Sequence, residues 1–157
     1  MSPEAVAQLQ EERNRRYSDL LRNGTLLMEG VADTLSRLQN KVRMGIVTSS
    51  RREHFDIIHA NTDILPYFDF VLTQEDYKGS KPDPEPFLTA MKHCRLTREE
   101  CLIIEDSERG LAAANAAGIH CIIVPNKLTL NCDFTGAWRV VDNIREVTEA
   151  VLNFPAS

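Results

Sequence analysis

Two adjacent acids, Glu105 and Asp106, close the apolar run Cys101-Leu102-Ile103-Ile104 and precede Ser107. Carboxylates side by side in a loop before a helix suit a hard divalent cation such as Mg²⁺. Four apolar residues bounded by turn chemistry read as a buried parallel strand. The carboxyl end of such a strand is where open α/β sheets place their ligand crevice. The simpler role for these residues is structural, with Asp106 or Ser107 capping the helix Glu108–Ala117. Two other strand ends favour the cation reading. Thr48 and Ser49 follow an apolar segment beginning at Val42, and Lys81 lies in a polar loop after Phe68–Thr73. A phosphoryl group held at one point needs these three kinds of partner. Hydroxyls and backbone N–H groups bind its oxygens, a lysine offsets its charge, and carboxylate-held Mg²⁺ bridges it.

Each residue taken singly has an ordinary alternative. Thr48 and Ser49 fit a turn, and Lys81 fits a solvated surface. Lys78 competes with Lys81 for the phosphate role but ranks below it. His54, His59, His93 and His120 lie on helical or strand patterns without a paired nucleophile, and read as structural or surface residues.

The elements that must position these groups alternate along the chain. Ser2 and Pro3 open a helix that Gly24 ends, with Val6, Leu9, Tyr17, Leu20 and Leu21 on one face and the charged run 11–16 on a solvated face. A second helix over Val31–Gln39 carries Val31, Leu35 and Leu38 inward. The strand Val42–Thr48 leads through a Ser50-x-x-Glu53 capping box into a helix with Phe55 and Ile58 inward. After the strand Phe68–Thr73, Asp83 and Pro84 cap a helix bearing Phe87, Met91 and Cys94. Thr97-x-x-Glu100 is a further capping box before Cys101–Ile104. The helix after that strand has Gly110, Ala112, Ala113, Ala116 and Ala117, small enough for close packing on a sheet. Gly118 ends it, and Ile119–Val124 is a strand stopped by Pro125. Residues 126–137 read as loop, 138–141 as a short edge strand, and Asn143-x-x-Glu146 starts the closing helix with Ile144, Val147 and Val151 inward. Strands alternating with amphipathic helices predict an α/β fold, a parallel sheet with helices on both faces.

The totals fit one globular domain: 157 residues, 43% hydrophobic, and a net charge of −5. Mild acidity argues against a nucleic-acid partner, which would need a basic surface. No apolar run approaches the ~20 residues of a membrane span, and the N-terminus has no apolar signal core. Cys94, Cys101, Cys121 and Cys132 form no CxxC pair, so reduced thiols in a cytoplasmic protein are expected and a zinc site is not.

In combination these stretches resemble the haloacid dehalogenase superfamily, on the branch containing phosphoglycolate phosphatase and β-phosphoglucomutase. Gly45-Ile46-Val47-Thr48-Ser49-Ser50 resembles the family's second motif, an apolar strand ending in Thr or Ser. Gly79-Ser80-Lys81-Pro82-Asp83-Pro84 is similar to the third. Ile103-Ile104-Glu105-Asp106-Ser107-Glu108-Arg109-Gly110 followed by Ala116-Ala117-Gly118 looks like the fourth. The resemblance runs from about Gly30 to Leu152. It implies a Rossmann-like core over residues 30–157, with residues 1–29 a remnant of a helical cap and linker. It also implies a Mg²⁺-dependent phosphatase acting on a small phosphorylated metabolite. Thr48 and Lys81 would be catalytic, Thr48, Ser49 and Lys81 would bind the phosphoryl group, and Asp106 with Glu105 would hold the metal. A mutase is the third reading and depends on cap residues.

The family's chemistry begins with an aspartate nucleophile in an Asp-x-Asp motif on a strand near the N-terminus. No such motif stands in this sequence; Asp19 and Asp33 lie in helical sequence with no acid two residues on. In the family that strand is central, between the strands ending at Thr48 and at Ile104. The expectation is therefore an N-terminally truncated, inactive and poorly stable chain. Two strand edges with unpaired backbone groups would face a gap, through which the chain could self-associate. The alternative is a non-catalytic module of the same fold that binds phosphate, metal or a partner protein.

Overall fold

The computed structural model describes residues 2–22 and 27–155. The first helix, α1 (Pro3–Arg22), starts where expected, with the Ser2 hydroxyl accepting the Ala5 N–H at 3.2 Å. The expected stop at Gly24 lies outside the described residues, as do the side chains of Tyr17, Leu20 and Leu21. Val6 and Leu9 of the apolar face are exposed. The helix touches the rest of the chain at α3 (Arg52–His59).

Five short strands form two parallel sheets. β1 (Gly45–Val47) pairs with β2 (Phe70–Leu72) in the register Ile46 to Val71. β3 (Leu102–Glu105), β4 (His120–Ile123) and β5 (Arg139–Val140) form the other, with Ile104 opposite Ile122 and Ile123 opposite Val140. β1 and β3 are not paired, so the sheet is divided where the sequence placed a gap.

Alternation along the larger sheet separates two cores. Ile103, Cys121 and Ile123 point to one face and meet Phe87 of α4 (Glu85–Cys94) and Leu111, Ala113, Ala114 and Ala117 of α5 (Glu108–Ala117). Ile122 and Val124 join Val141, Val147 and Ala150 on the other face, where α6 (Val147–Leu152) lies. The buried small residues of α5 are therefore Gly110, Ala113, Ala114 and Ala117, whereas Ala112 and Ala116, expected inward, face solvent. α2 (Val31–Leu38) joins this second face, its Thr34 hydroxyl donating to the Ile144 carbonyl at 3.2 Å.

Ile104 records the break in the sheet. It sits opposite Ile122, which is 0% exposed, yet remains 39% exposed; among the described residues no strand pairs with the other edge of β3. An isoleucine left half in water forgoes on the order of 1 kcal/mol of burial.

The caps show which local signals prevailed. Ser107 accepts the Gly110 N–H at 3.1 Å and caps α5, so capping falls to Ser107 and leaves the Asp106 carboxylate available. Asn143 caps the C-terminal turn by accepting from the Arg145 N–H. Asp83 accepts the Glu85 N–H at 2.8 Å, and Glu100 accepts the Thr97 N–H at 2.8 Å. The Ser50 box does not form. Arg51 is the N-cap of α3, and the Arg52 N–H is met by the Glu75 carboxylate at 3.1 Å, a long-range partner that replaces the local one. Cys94, Cys101, Cys121 and Cys132 are free thiols; burial, helped by the nearby Glu105 charge, pushes Cys121 up to about 12. Among the described residues no helix is long and apolar enough to cross a membrane.

Candidate functional site

The carboxyl ends of β1 and β3 are joined by one side chain. Lys81, in the loop between β2 and α4, sends its ammonium to the Val47 carbonyl at 3.3 Å and into an ion pair with Glu105 Oε1. The two side chains are 14% and 9% exposed, so the pair is largely withdrawn from water. The Lys81 ammonium also lies over the Phe87 ring, with Nζ 4.8 Å from the centroid.

Several groups fix where Lys81 sits. The Glu85 carboxylate accepts the N–H groups of Gly79 and Lys78, folding the loop onto the start of α4. Those bonds, that of Gly79 first, hold the Glu85 carboxyl below its ordinary range. A Cβ on Gly79 would come within 2.6 Å of the Asp83 carboxyl carbon, so any larger residue there would have to displace the Asp83 side chain. Arg109, in the first turn of α5, donates from Nε to the Lys81 carbonyl at 3.0 Å, with a second bond from its terminal nitrogen. Lys78, the competing lysine, is exposed.

Thr48 is half-buried just past β1. Its hydroxyl oxygen accepts the Ser50 N–H at 3.2 Å, which leaves the hydroxyl proton available to a ligand. Its carbonyl accepts from the Tyr77 phenol at 2.6 Å. Burial raises the Tyr77 pKa, which keeps that phenol a donor. Ser49 is exposed at the rim.

Glu105 uses both oxygens. Oε1 meets Lys81, and Oε2 accepts from the Ser107 hydroxyl and the Asp106 N–H, each at 3.3 Å. Its side chain lies against Gly110, where any Cβ would overlap the carboxylate. Asp106 is exposed; its Oδ2 accepts from the Asn126 amide at 2.8 Å. Two adjacent carboxylates, one already neutralised by a lysine and one open to solvent, are the oxygen donor set Mg²⁺ accepts, since that ion keeps several waters. Among the described residues no cluster of three His, Cys, Asp or Glu side chains competes with them. Mg²⁺ would be held by Asp106, with Glu105 beside it, and would supply positive charge to a phosphoryl oxygen.

Tyr77, Glu85, Arg109 and Asn126 are positioning groups the sequence reading did not single out. Asn126 had a signal. It directly follows the carboxyl end of β4 and Pro125, at the rim where α/β crevices gather. A cavity of about 380 Å³ lies at the opposite end, lined by Asn40, Val42, Met44, Pro66 and Phe68. It contains none of the expected site residues.

The sequence profile of the haloacid dehalogenase-like hydrolases matches residues 2–124. Protein CbbY of Rhodobacter capsulatus is 31% identical over 156 residues, covering 96% of this chain and 69% of that protein. Phosphoglycolate phosphatase of Escherichia coli K12 is 33% identical over 116 residues, covering 73% of this chain and 46% of the enzyme. A CbbY variant from Rhodobacter sphaeroides, solved with xylulose-(1,5)bisphosphate, superposes with a TM-score of 0.80 at 25% identity, covering 92% of this chain and 67% of that one. β-Phosphoglucomutase from Clostridium difficile gives 0.79 at 25% identity, covering 97% and 67%. The chain therefore spans about half to two thirds of the length of these relatives. A profile match over most of the chain, with the same arrangement of strands and helices in solved relatives, leaves one assignment: the chain belongs to the haloacid dehalogenase-like hydrolase family.

Proposed function

We propose that this chain carries the phosphate- and cation-binding part of a Mg²⁺-dependent phosphatase site for a small phosphorylated metabolite, and that by itself it does not turn over. The observation that carries the reading is the Lys81 bridge. It brings the ends of β1 and β3 to one rim, with Thr48 next to one contact and Asp106 next to the other. In this reading the Thr48 proton and the Ser49 N–H bind phosphoryl oxygens. Lys81 offsets their charge, Asp106 holds the cation, and Glu105 supports both. The relatives named as phosphatases, and the bisphosphate bound to a CbbY variant, support a small phosphorylated ligand.

The lack of turnover follows from what the rim contains. No Asp-x-Asp pair stands in the sequence to supply a carboxylate nucleophile and its acid–base partner. The Lys81 ammonium rests against Glu105. Cytoplasmic placement suits the four free thiols. The unpaired edges of β1 and β3 offer self-association as a further expectation.

A second reading has an observation of its own. A charge-satisfied lysine between two open strand edges also suits a non-catalytic module that binds phosphate, metal or another protein. Sequence upstream of Met1 separates the two: an in-frame apolar run ending in Asp-x-Asp-Gly favours the enzyme. The assay for turnover is incubation of the chain with p-nitrophenyl phosphate and Mg²⁺. No release above background is expected, and clear release abolished by Asp106→Asn would overturn the claim of inactivity.

A further inference from the structure

We propose that Asn126, in the loop after β4, is a positioning residue that holds the Asp106 carboxylate in the orientation that binds a divalent cation. The inference rests on the reading of Asp106 as the cation ligand and adds a residue from a separate stretch of chain. The direction of the Asn126 amide is decided by its own loop. Its Oδ1 accepts the Leu128 N–H at 2.8 Å, so Nδ2 is the end left to face Asp106. The loop is closed around it: the Asn126 N–H donates to the Thr129 hydroxyl at 3.0 Å, and the Asn126 carbonyl accepts the Thr129 N–H at 3.0 Å. A side chain anchored at its oxygen therefore presents a fixed N–H donor to Asp106 Oδ2 at 2.8 Å.

The chemistry of the donor matters. An amide is neutral, so it orients the carboxylate without cancelling the charge a cation needs. A lysine there would compete with the metal. With Oδ2 held, Oδ1 accepts no hydrogen bond among the described residues and is the oxygen left for a cation. Groups that fix a ligating carboxylate in this way typically control metal affinity by about tenfold or more.

Mn²⁺, used as the probe on the ¹⁵N-labelled chain, broadens the amide signals nearest its site, and the spectrum itself reports whether each variant is folded. In the wild-type chain the Asp106 and Ser107 amides should broaden first. Asn126→Ala should raise the Mn²⁺ concentration for half-broadening about tenfold. Asn126→Asp keeps an oxygen for the Leu128 N–H, and with it the loop, but sets an acceptor in place of the donor against Asp106 Oδ2, so it should lose the hold on Asp106 and weaken Mn²⁺ binding. A residue that only shapes the loop would leave Asn126→Asp like wild type, and unchanged binding in that variant overturns the inference. Equal half-broadening in wild type and Asn126→Ala overturns it as well, while leaving the cation site in place. If Asp106→Asn fails to weaken Mn²⁺ binding, the fault lies with the cation reading itself.

Discussion

Lys81 and Glu105, 24 residues apart, form an ion pair at the junction of the two sheets, with only 14% and 9% of their side chains exposed. The lysine also holds the Val47 carbonyl, so a single ammonium ties the end of β1 to the end of β3 where no strand pairing does. Removing one partner of a buried pair leaves the other charge uncompensated, at a cost of about 3–5 kcal/mol. Lys81→Met should therefore lower stability to urea by about that amount. The double variant Lys81→Met/Glu105→Leu should recover much of the loss. Equal stability of Lys81→Met and wild type would show that the pair does not join the sheets.

Gly110 lets the Glu105 carboxylate rest on the first turn of α5. Alanine there gains up to about 1 kcal/mol of helix propensity. It also overlaps the carboxylate, and overpacking of that kind typically costs about 1–3 kcal/mol. The second effect wins because the overlapped atoms belong to a carboxylate that is largely withdrawn from water and already fixed by Lys81. Gly110→Ala should be destabilising in thermal melts, and more so with Lys81 present than in Lys81→Met. A stabilised Gly110→Ala would place Glu105 elsewhere.

Glu85 folds the loop that carries Lys81, and the Gly79 N–H is the larger cause of its depressed pKa. A carboxylate depressed in the folded state stabilises it fully above the unfolded value, ordinarily 4.5, and the contribution is lost as pH falls through the lower folded value. The Gly79 amide resonance should accordingly titrate with a midpoint below 4.5. Glu85→Gln should remove that titration. A midpoint above 4.5 would contradict the hydrogen bonding.

Strand edges that face no neighbour should exchange quickly. Amides of β1 and β3 that point into the break are expected to exchange with solvent orders of magnitude faster than those of Cys121 and Ile122. The latter lie in β4, paired on both sides and no more than 1% exposed. Strong protection across Gly45–Val47 and Leu102–Ile104 would mean that the two sheets are joined after all.

Most of this architecture was legible in the sequence because apolar period and capping residues are local. Short runs such as Cys101–Ile104 and Ile119–Val124 marked strands within a residue or two of β3 and β4, and Ser107 and Asn143 marked helix starts. Two expectations misplaced side chains for a physical reason. Ala112 and Ala116 share their small size with Ala113 and Ala117, so composition could not tell which alanines face the sheet. Ser50 lost its capping role to Glu75, a partner brought close only by the pairing of β1 with β2. The same limit applies at the site. Thr48, Lys81, Glu105 and Asp106 stand out by type and by their place at strand ends. Their supports do not, because Tyr77, Glu85, Arg109 and Asn126 act through contacts only the folded chain creates.

The most direct test of the central claim adds inorganic phosphate with Mg²⁺ to the ¹⁵N-labelled chain and follows its amide signals. The amides of Thr48–Ser50, Lys81 and Asp106–Ser107 should shift together along one saturation curve. Lys81→Ala and Asp106→Asn should each move that curve to higher phosphate by about tenfold or more. Shifts confined to one of the three segments, or a response around Asn40 and Phe68 at the opposite end, would contradict a shared phosphate and cation site.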